Sequence, residues 1–298
     1  MSRVVTKAVI PAAGFGTRML PFTKAVPKEL IPLVDTPVLQ YVVEEAVDAG
    51  AEDILIIISP GKEAIKEHFM PAEKLEERLK SSGKDELFAG IKKINTLANI
   101  SYVYQYELNG LGDAVALAAD FAGTDPVMVL LGDTVMDSAV SRGVSAQLVS
   151  VYEEYRSSVI ALTRVPQEKI SSYGIAAGNM IAERVMQLSD LVEKPSPADA
   201  PSDFAVAARY LFTPEIFAAL RDTCPGLHGE IQLTDAVKKL LLTEKVFGCL
   251  IAGKRYDLGR VAGFVSANVE FALRRPELQE SLGRQIMDIL KKFNIKDL

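Results

Sequence analysis

The sequence predicts an α/β fold in which a mixed, mostly parallel sheet is flanked by helices. Apolar runs such as "DILIIIS" at 53–59 and "PVMVLLGD" at 126–133 are continuous rather than alternating, which is typical of strands covered by helices on both faces. Between the run at 3–11 and the run at 53–59, residues 36–50 place apolar side chains on one helical face, and Gly50 stands where such a helix would end. A strand, helix, strand order of this kind joins parallel strands by a right-handed crossover.

The remaining elements follow from the same patterns in chain order. Further strands are predicted at 100–105, 126–133 and 157–165, with helices at 113–122 and 143–155. The alternation of strands and helices then becomes less regular, and extended segments are predicted at 174–179, 184–195 and 203–212. Helices are predicted again at 213–222, 233–244 and 263–275, and from Glu277 onward. The Lys- and Glu-rich residues 70–99 are predicted to form a helical excursion.

Composition limits the possible functions. A chain of 298 residues with 49% hydrophobic residues can bury the core of one large domain. Its net charge of −6 argues against a nucleic-acid surface, which would require clustered Lys and Arg. The two cysteines are too few for a disulfide framework or a zinc cluster. No segment is typical of a signal peptide or a membrane span, so no membrane partner and a cytoplasmic location are expected.

The segment "PAAGFGTRMLPFTKAVPKEL" at 11–30 is the first candidate site. It follows a strand of the parallel sheet, so it is expected at the carboxyl edge where ligands bind in open α/β folds. Gly14 and Gly16 would let backbone N–H groups surround phosphate oxygens, and Arg18, Lys24 and Lys28 would neutralise their charge. The alternatives are a tight turn and a solvated basic loop. The P-loop spacing and the third glycine of the dinucleotide fingerprint are both missing, which disfavours a dehydrogenase.

Two aspartates are candidate metal ligands. Asp133 ends a buried apolar strand, and Asp257 stands in "KRYDLG" after a short apolar strand and before a glycine turn. Carboxylates at such positions suit Mg²⁺, which prefers carboxylate, water and phosphate oxygens. Turn-capping is an equally good interpretation of both residues from the pattern alone. Asp137, four residues after Asp133, is predicted to cap a following helix.

The motifs together resemble a known family, the sugar-nucleotide pyrophosphorylases. The opening segment, "GKEAIKEHF", "YQYELNGLGDAV", "LLGDTVMD", "LVEKP", "GEIQLTDAV" and "RYDLG" recur in the family's order over nearly the whole chain. The resemblance implies the nucleotidyltransferase A-like fold, a Rossmann-like sheet with a small sugar-binding β subregion. It implies one domain over 1–298, divided into a nucleotide-binding half at about 1–140, a sugar-phosphate-binding half at about 141–260 and C-terminal helices at about 261–298.

The resemblance also implies a reaction. UTP and glucose 1-phosphate would give UDP-glucose and pyrophosphate by Mg²⁺-assisted in-line attack of the sugar phosphate on the α-phosphorus. A homo-oligomer, dimer or tetramer, is expected. The alternatives are the same transfer with dTTP or another hexose 1-phosphate, and a non-catalytic nucleotide sensor of the same fold.

The site residues implied by the resemblance fall into four groups. The nucleotide would be bound by Ala12, Ala13, Gly14, Gly16, Gln105, Gly110 and Asp133. The catalytic cations would be Arg18, Lys28 and Lys194. The sugar phosphate would be bound by Gly174, Glu193 and Lys194. The metal ion would be held by Asp133 and Asp257.

This chain departs from the family pattern at three positions near the implied site. Asp113 stands where a histidine is common, Ala208 stands where a glycine is usual, and Arg260 stands where a small or polar residue is frequent. The methyl group of Ala208 is expected to narrow the sugar pocket. The only histidines, His68 and His228, are isolated and are interpreted as structural or surface residues.

Overall fold

The computed structural model describes residues 4–226 and 229–294. Within these residues the strands alternate with helices as expected. The strands are β1 Lys7–Pro11, β2 Pro32–Leu33, β3 Thr36–Pro37, β4 Asp53–Ile58, β5 Asn99–Tyr104, β6 Val127–Leu130, β7 Thr134–Ser138, β8 Val159–Arg164, β9 Gly174–Ala182, β10 Val185–Glu193, β11 Phe204–Phe212, β12 Phe247–Leu250 and β13 Gly253–Asp257. The helices are α1 Val38–Asp48, α2 Ala64–Phe69, α3 Glu73–Ser81, α4 Asp85–Ile94, α5 Leu111–Ala116, α6 Ala119–Ala122, α7 Val144–Tyr155, α8 Glu215–Arg221, α9 Leu233–Leu240, α10 Val261–Leu273 and α11 Pro276–Lys292.

A nine-stranded sheet forms the centre of the fold, with the strand order β5-β4-β1-β6-β11-β8-β12-β10-β9. Its first four strands pair in parallel, and β8 pairs in parallel with β12. Strands β10 and β11 run against the direction of the others. The predicted mixed, mostly parallel α/β sheet is therefore confirmed.

Helices cover both faces of this sheet. On one face α1 and α7 bury Leu39, Val43 and Leu148 against the strands. On the other face α5, α8 and α9 bury side chains such as Val115 and Val237. The apolar strands are buried on both sides, which explains why their sequences lack alternation.

A few sequence predictions need correction. The helix predicted at 113–122 is two short helices, α5 and α6, separated by Leu117 and Ala118. Asp137 does not cap a helix: it lies in β7, where its partner in the register is Lys254 of β13, and it forms an ion pair with Arg274.

His68 lies on α2 and hydrogen-bonds Gln40, as expected of a structural histidine, whereas His228 lies outside the described residues. In the described part of the chain, no helix combines the length and apolarity needed to cross a bilayer.

Candidate active site

Two adjoining cavities open at the carboxyl edge of the sheet. The larger, about 660 Å³, is lined by the glycine loop after β1, by the segment after β5 and by Asp133 after β6. The smaller, about 160 Å³, is lined by residues of β9, β10, β11 and β13. Leu111 and Leu131 line both cavities, so two ligands bound side by side would meet there.

The glycine loop wraps around Lys28. Gly16 has a left-handed backbone with φ of 67°, and a Cβ placed there would lie 3.0–3.2 Å from the Lys28 side chain. A Cβ at Gly14 would lie 3.8 Å from the Lys28 ammonium group. The two glycines therefore let the backbone close on the lysine, and any larger residue at position 16 would be strained.

Lys62, which the sequence analysis did not identify, is buried and holds this loop through its backbone carbonyl groups. Lys62 Nζ donates hydrogen bonds to the carbonyl oxygens of Ala12 at 2.6 Å and Gly14 at 2.7 Å. It also contacts the Glu29 carboxylate at 2.9 Å. Burial lowers the pKa of Lys62 and raises the pKa of Glu29, each against the attraction of the other's charge.

Asp133 and Lys28 form the central ion pair of the larger cavity, with 2.6 Å between Oδ2 and Nζ. Burial alone would raise the pKa of Asp133 and lower that of Lys28. The close pairing outweighs burial for both groups, so the pKa of Asp133 falls to about 2 and the pKa of Lys28 is raised. Both groups are therefore fully charged at neutral pH.

The two-stranded ribbon formed by β7 and β13 brings the second predicted metal ligand to the first. Thr134 pairs with Asp257 in the register, and the N–H of Leu258 donates to the Asp133 carbonyl oxygen at 3.3 Å. Asp257 also accepts a hydrogen bond from the N–H of Gly259, so the turn-capping interpretation of this residue holds as well.

Gly259 makes room between the two carboxylates. A Cβ placed there would lie 3.3 Å from Oδ1 of Asp257, 3.4 Å from Oδ2 of Asp133 and 3.4 Å from Nη2 of Arg18. Among the described residues, no group of three or more His, Cys, Asp or Glu side chains is arranged to hold a metal ion. Two carboxylates facing a shared space nevertheless fit a hard cation that takes its other ligands from water and phosphate.

Gln105 and Gly110 also line the larger cavity. Gln105 is buried, and its Nε2 donates to Oδ2 of Asp113 at 2.7 Å and to the carbonyl oxygen of Gly110 at 3.3 Å. Gly110 has φ of 108°, and a Cβ there would lie 2.7 Å from the carbonyl oxygen of Ile231. Only glycine suits this position, both for its backbone angle and for lack of space.

The smaller cavity gathers the predicted sugar-phosphate residues. Glu193 accepts a hydrogen bond from the Thr234 hydroxyl at 2.6 Å and lies 3.3 Å from the Lys194 ammonium group. A Cβ at Gly174 would lie 3.2 Å from the Glu193 carboxylate, so this glycine leaves space for the acid. Lys194 has a positive φ of 43° and its side chain is 45% exposed, beside the cavity rather than in its wall.

Arg255 is the second cation that the sequence analysis missed. It lines the smaller cavity, its guanidinium lies 4.7 Å from the centre of the Tyr173 ring, and it reaches within 3.9 Å of Asp257. Its Nε is buried without a hydrogen-bond partner in the described parts of the chain. The motif "KRYDLG" contains this arginine, but nothing in the sequence indicates that it faces the cavity.

The predicted residues thus fall into two groups that meet. Lining the larger cavity or forming its loop are Ala12, Ala13, Gly14, Gly16, Arg18, Lys28, Gln105, Gly110 and Asp133. Gly174, Glu193 and Lys194 gather at the smaller cavity, and Asp257 lies beside Asp133. Lys24, which the sequence also placed near the phosphates, is exposed and is not part of either wall.

Comparison with known proteins points to one family. A family model described as nucleotidyl transferase matches residues 7–273. The UTP–glucose-1-phosphate uridylyltransferase of Bacillus subtilis (strain 168) is 46% identical over 291 residues, which cover 98% of this chain and 99% of that protein.

Solved structures agree with this result. A UDP-glucose pyrophosphorylase crystallised with UDP-glucose is 37% identical, with a TM-score of 0.84 over 91% of this chain and 100% of that one. A UTP-bound UGPase from Acinetobacter baumannii is 32% identical, with a TM-score of 0.89 over 95% of this chain and 99% of that one.

Proposed function

The chain belongs to the nucleotidyl transferase family, and from this premise we propose that it transfers the uridylyl group of UTP to glucose 1-phosphate, giving UDP-glucose and pyrophosphate. The family resemblance read from the sequence motifs is confirmed by the full-length similarity. One observation carries the proposal: a cavity with a glycine loop, two cations and a carboxylate adjoins a smaller cavity with an acid and a further cation.

The larger cavity is the proposed UTP site. Backbone groups of Ala12, Ala13 and Gly14 contact the nucleoside, and Gln105 and Gly110 contact the edge of the base. The residue types support this assignment because a glutamine side chain and backbone groups offer both donors and acceptors to a uracil. Gly16 keeps the loop closed over Lys28.

Charge neutralisation is the proposed task of Arg18 and Lys28. They bind the β- and γ-phosphates that leave as pyrophosphate, and their proximity to Asp133 supports a shared phosphate and metal site. Nucleotidyl transferases generally use a divalent metal ion. We propose Mg²⁺ here, held by Asp133 and Asp257, and when bound it adds positive charge next to the phosphate oxygens.

The smaller cavity is the proposed glucose 1-phosphate site. Glu193 accepts hydrogen bonds from sugar hydroxyls, Gly174 leaves room for the sugar, and Lys194 binds the phosphate. A phosphate oxygen of the sugar then forms a bond to the α-phosphorus of UTP while the bond from that phosphorus to the bridging oxygen breaks. Catalysis consists of positioning and charge stabilisation, with no covalent enzyme intermediate.

The test is pyrophosphate release by the purified protein with Mg²⁺. UTP, dTTP, ATP, CTP and GTP are each combined with glucose 1-phosphate and with other hexose 1-phosphates. We expect the fastest release with UTP and glucose 1-phosphate, and none after EDTA. A different preferred pair would change the proposed substrate. Folded protein that binds UTP but releases no pyrophosphate with any pair would be a sensor instead.

Variants test the proposed residues. Asp133→Asn and Lys194→Ala should each lose activity on the order of 10²-fold or more while the circular dichroism spectrum is retained. Asp137→Asn is the matched control, because Asp137 lies on the same ribbon but pairs with Arg274. Full activity in Asp133→Asn or Lys194→Ala would remove that residue from the site.

Three broader features are also part of the proposal. We propose that the protein is cytoplasmic, and that one domain combines a nucleotide-binding half before about residue 140 with a sugar-phosphate-binding half after it. We propose a homo-oligomer, a dimer or a tetramer, because Val261, Val265 and Val269 expose one apolar face of α10. Analytical ultracentrifugation of the full chain tests the oligomer.

A further inference from the structure

We propose that Asp113 determines which base this site accepts, by fixing the orientation of the Gln105 side-chain amide. The consequence is a site that requires an N–H at the facing edge of a pyrimidine, as uracil and thymine present, and that rejects cytosine. This inference rests on the proposed function, since it concerns the base of the nucleotide substrate.

The orientation of the Gln105 amide follows from its neighbours. Oδ2 of Asp113 lies 2.7 Å from one terminal atom of the amide, and the carbonyl oxygen of Gly110 lies 3.3 Å from the same atom. An ionised carboxylate and a carbonyl oxygen only accept hydrogen bonds. The atom that faces both of them must therefore be the NH₂ group, and both of its hydrogens are used.

The remaining polar atom of this amide is an acceptor. Among the described residues, no hydrogen bond is donated to Oε1 of Gln105, and the buried side-chain atoms without a partner are Oε1 of Glu29 and Nε of Arg255. Gln105 lines the larger cavity, so its Oε1 remains open to a ligand there. Asp113 is not part of that wall, and it acts on the base through Gln105.

The chemistry of the bases turns this orientation into selectivity. Uracil and thymine carry a hydrogen on N3 and can donate it to a fixed acceptor. Cytosine has a lone pair on N3, which would face the lone pairs of Oε1. A site built to accept a hydrogen bond rejects an analogue that cannot donate it, because the acceptor is then left buried without a partner.

Asp113 also lies in the first turn of α5, where a negative charge favours the helix. A role confined to the helix would change stability, or would change the binding of every nucleotide by the same factor. A role through Gln105 would change the ratio between bases. The two roles are therefore separable by measurement.

The experiment measures binding of UTP, dTTP and CTP to the full-length protein with Mg²⁺ by isothermal titration calorimetry. Wild-type protein is compared with Asp113→Ala, which removes the acceptor, and with Asp113→Asn, which keeps the shape but can donate as well as accept. Asp120→Asn is the matched control, an exposed acid in the first turn of α6 with no contact to Gln105.

We expect wild-type protein to bind UTP and dTTP more tightly than CTP. In Asp113→Ala the preference for UTP over CTP should fall about 10-fold, with the Gly110 carbonyl retaining part of the bias. Asp113→Asn should shift in the same direction by less, and it carries the test if Asp113→Ala does not fold. The ratio of UTP to dTTP should stay unchanged in every variant, and Asp120→Asn should match wild type.

Two results would overturn the inference. An unchanged preference for UTP over CTP in both Asp113 variants would show that Gln105 is oriented without Asp113. An equal loss for all three nucleotides would assign Asp113 to the helix or to general electrostatics. Wild-type protein that binds none of the three overturns the proposed function itself, which distinguishes that failure from the failure of this inference.

Discussion

Ala208 adopts a backbone conformation that L-residues rarely use. Its φ is 60°, at an irregularity in the pairing of β11 with β8 between Val206 and Tyr210. The carbonyl oxygen of Ala208 accepts hydrogen bonds from the N–H of Leu131 and from the Arg209 guanidinium, so the surrounding structure holds the strained residue in place. A glycine would adopt this conformation without the steric cost of a Cβ.

We therefore expect Ala208→Gly to stabilise the protein. Relief of the left-handed strain is worth about 1–2 kcal/mol, and the extra chain entropy of glycine offsets roughly 0.5–1 kcal/mol of it. The net gain in the free energy of unfolding, about 0.5–1 kcal/mol, is measurable by urea unfolding. Ala207→Gly is the control. Ala207 is the buried neighbour of Ala208 and lies outside the left-handed region, so this variant should lose stability. A loss of stability in Ala208→Gly would mean that its φ costs nothing.

The sequence identified position 208 as a departure from the family pattern, but it did not predict the positive φ of this residue. The departure from the family's glycine was interpreted as a narrowing of the sugar pocket, and Ala208 does line the smaller cavity. The backbone angle arises from the irregular pairing of two strands, and no local pattern encodes it. Gly16 and Gly110 were easier to predict, because a glycine is itself the signal for an unusual angle or a close approach.

At the scale of elements, the loop between β4 and α2 supports the glycine loop through Lys62. The lysine binds the carbonyl oxygens of Ala12 and Gly14. In a planar trans peptide the C=O and the following N–H point in opposite directions. Because both carbonyl groups point towards Lys62, the N–H groups of Ala13 and Phe15 point away from it, towards the cavity that both residues line.

We expect Lys62→Met to raise KM for UTP about 10-fold or more and to leave KM for glucose 1-phosphate unchanged, since the glycine loop belongs to the proposed UTP site and not to the proposed glucose 1-phosphate site. The variant should also lose stability, because the Glu29 carboxylate is left buried without its partner. Steady-state kinetics and thermal unfolding measure the two effects. Lys66→Met is the control. Lys66 lies four residues after Lys62, in α2, and donates a hydrogen bond to the Tyr104 hydroxyl instead.

A second variant separates positioning from stability. Lys62→Met combined with Glu29→Met removes both charges and should recover much of the lost stability. If Lys62 positions the loop, KM for UTP stays raised in the double variant. Recovery of KM together with stability would contradict that role and leave a purely structural ion pair.

The pairing of β7 with β13 shows what the sequence could not predict. The parallel strands were found because their apolar runs are long and continuous, as in β4 and β6. The strands at 134–138 and 253–257 are short and mixed in polarity, and within the described residues they pair only with each other. Their pairing depends on contacts far apart in sequence. Asp133 and Asp257 could therefore be proposed as candidates, but their meeting point could not be derived from the residues.

At the scale of the whole molecule, Arg209 joins the layers of the fold. It is fully buried in β11, and its guanidinium pairs with Glu45 of α1, with 2.7 Å between Nη2 and Oε2. It also donates to the carbonyl oxygens of Thr134 at 2.8 Å and Ala208 at 3.0 Å. One side chain thus links helix α1, the central sheet and the start of the ribbon that carries the metal-site candidates.

Arg209→Met should therefore lower the free energy of unfolding by about 3–5 kcal/mol, because it leaves the largely buried Glu45 carboxylate without its cation and removes the guanidinium hydrogen bonds to the carbonyl oxygens of Thr134 and Ala208. Arg164→Met, which breaks an exposed pair with Asp203, should cost less than about 1 kcal/mol. Urea unfolding of both variants gives the comparison.

The position of Arg209 also predicts that its loss lowers activity. Since the arginine holds the carbonyl at the start of β7, the fraction of Arg209→Met that remains folded should have lower activity per molecule than wild type, with Asp133 less firmly placed. Activity normalised to the folded fraction measures this. Full normalised activity would mean that β7 is positioned by its pairing with β13 alone. A free energy of unfolding equal to that of wild type would mean that the layers are joined by apolar packing without the ion pair.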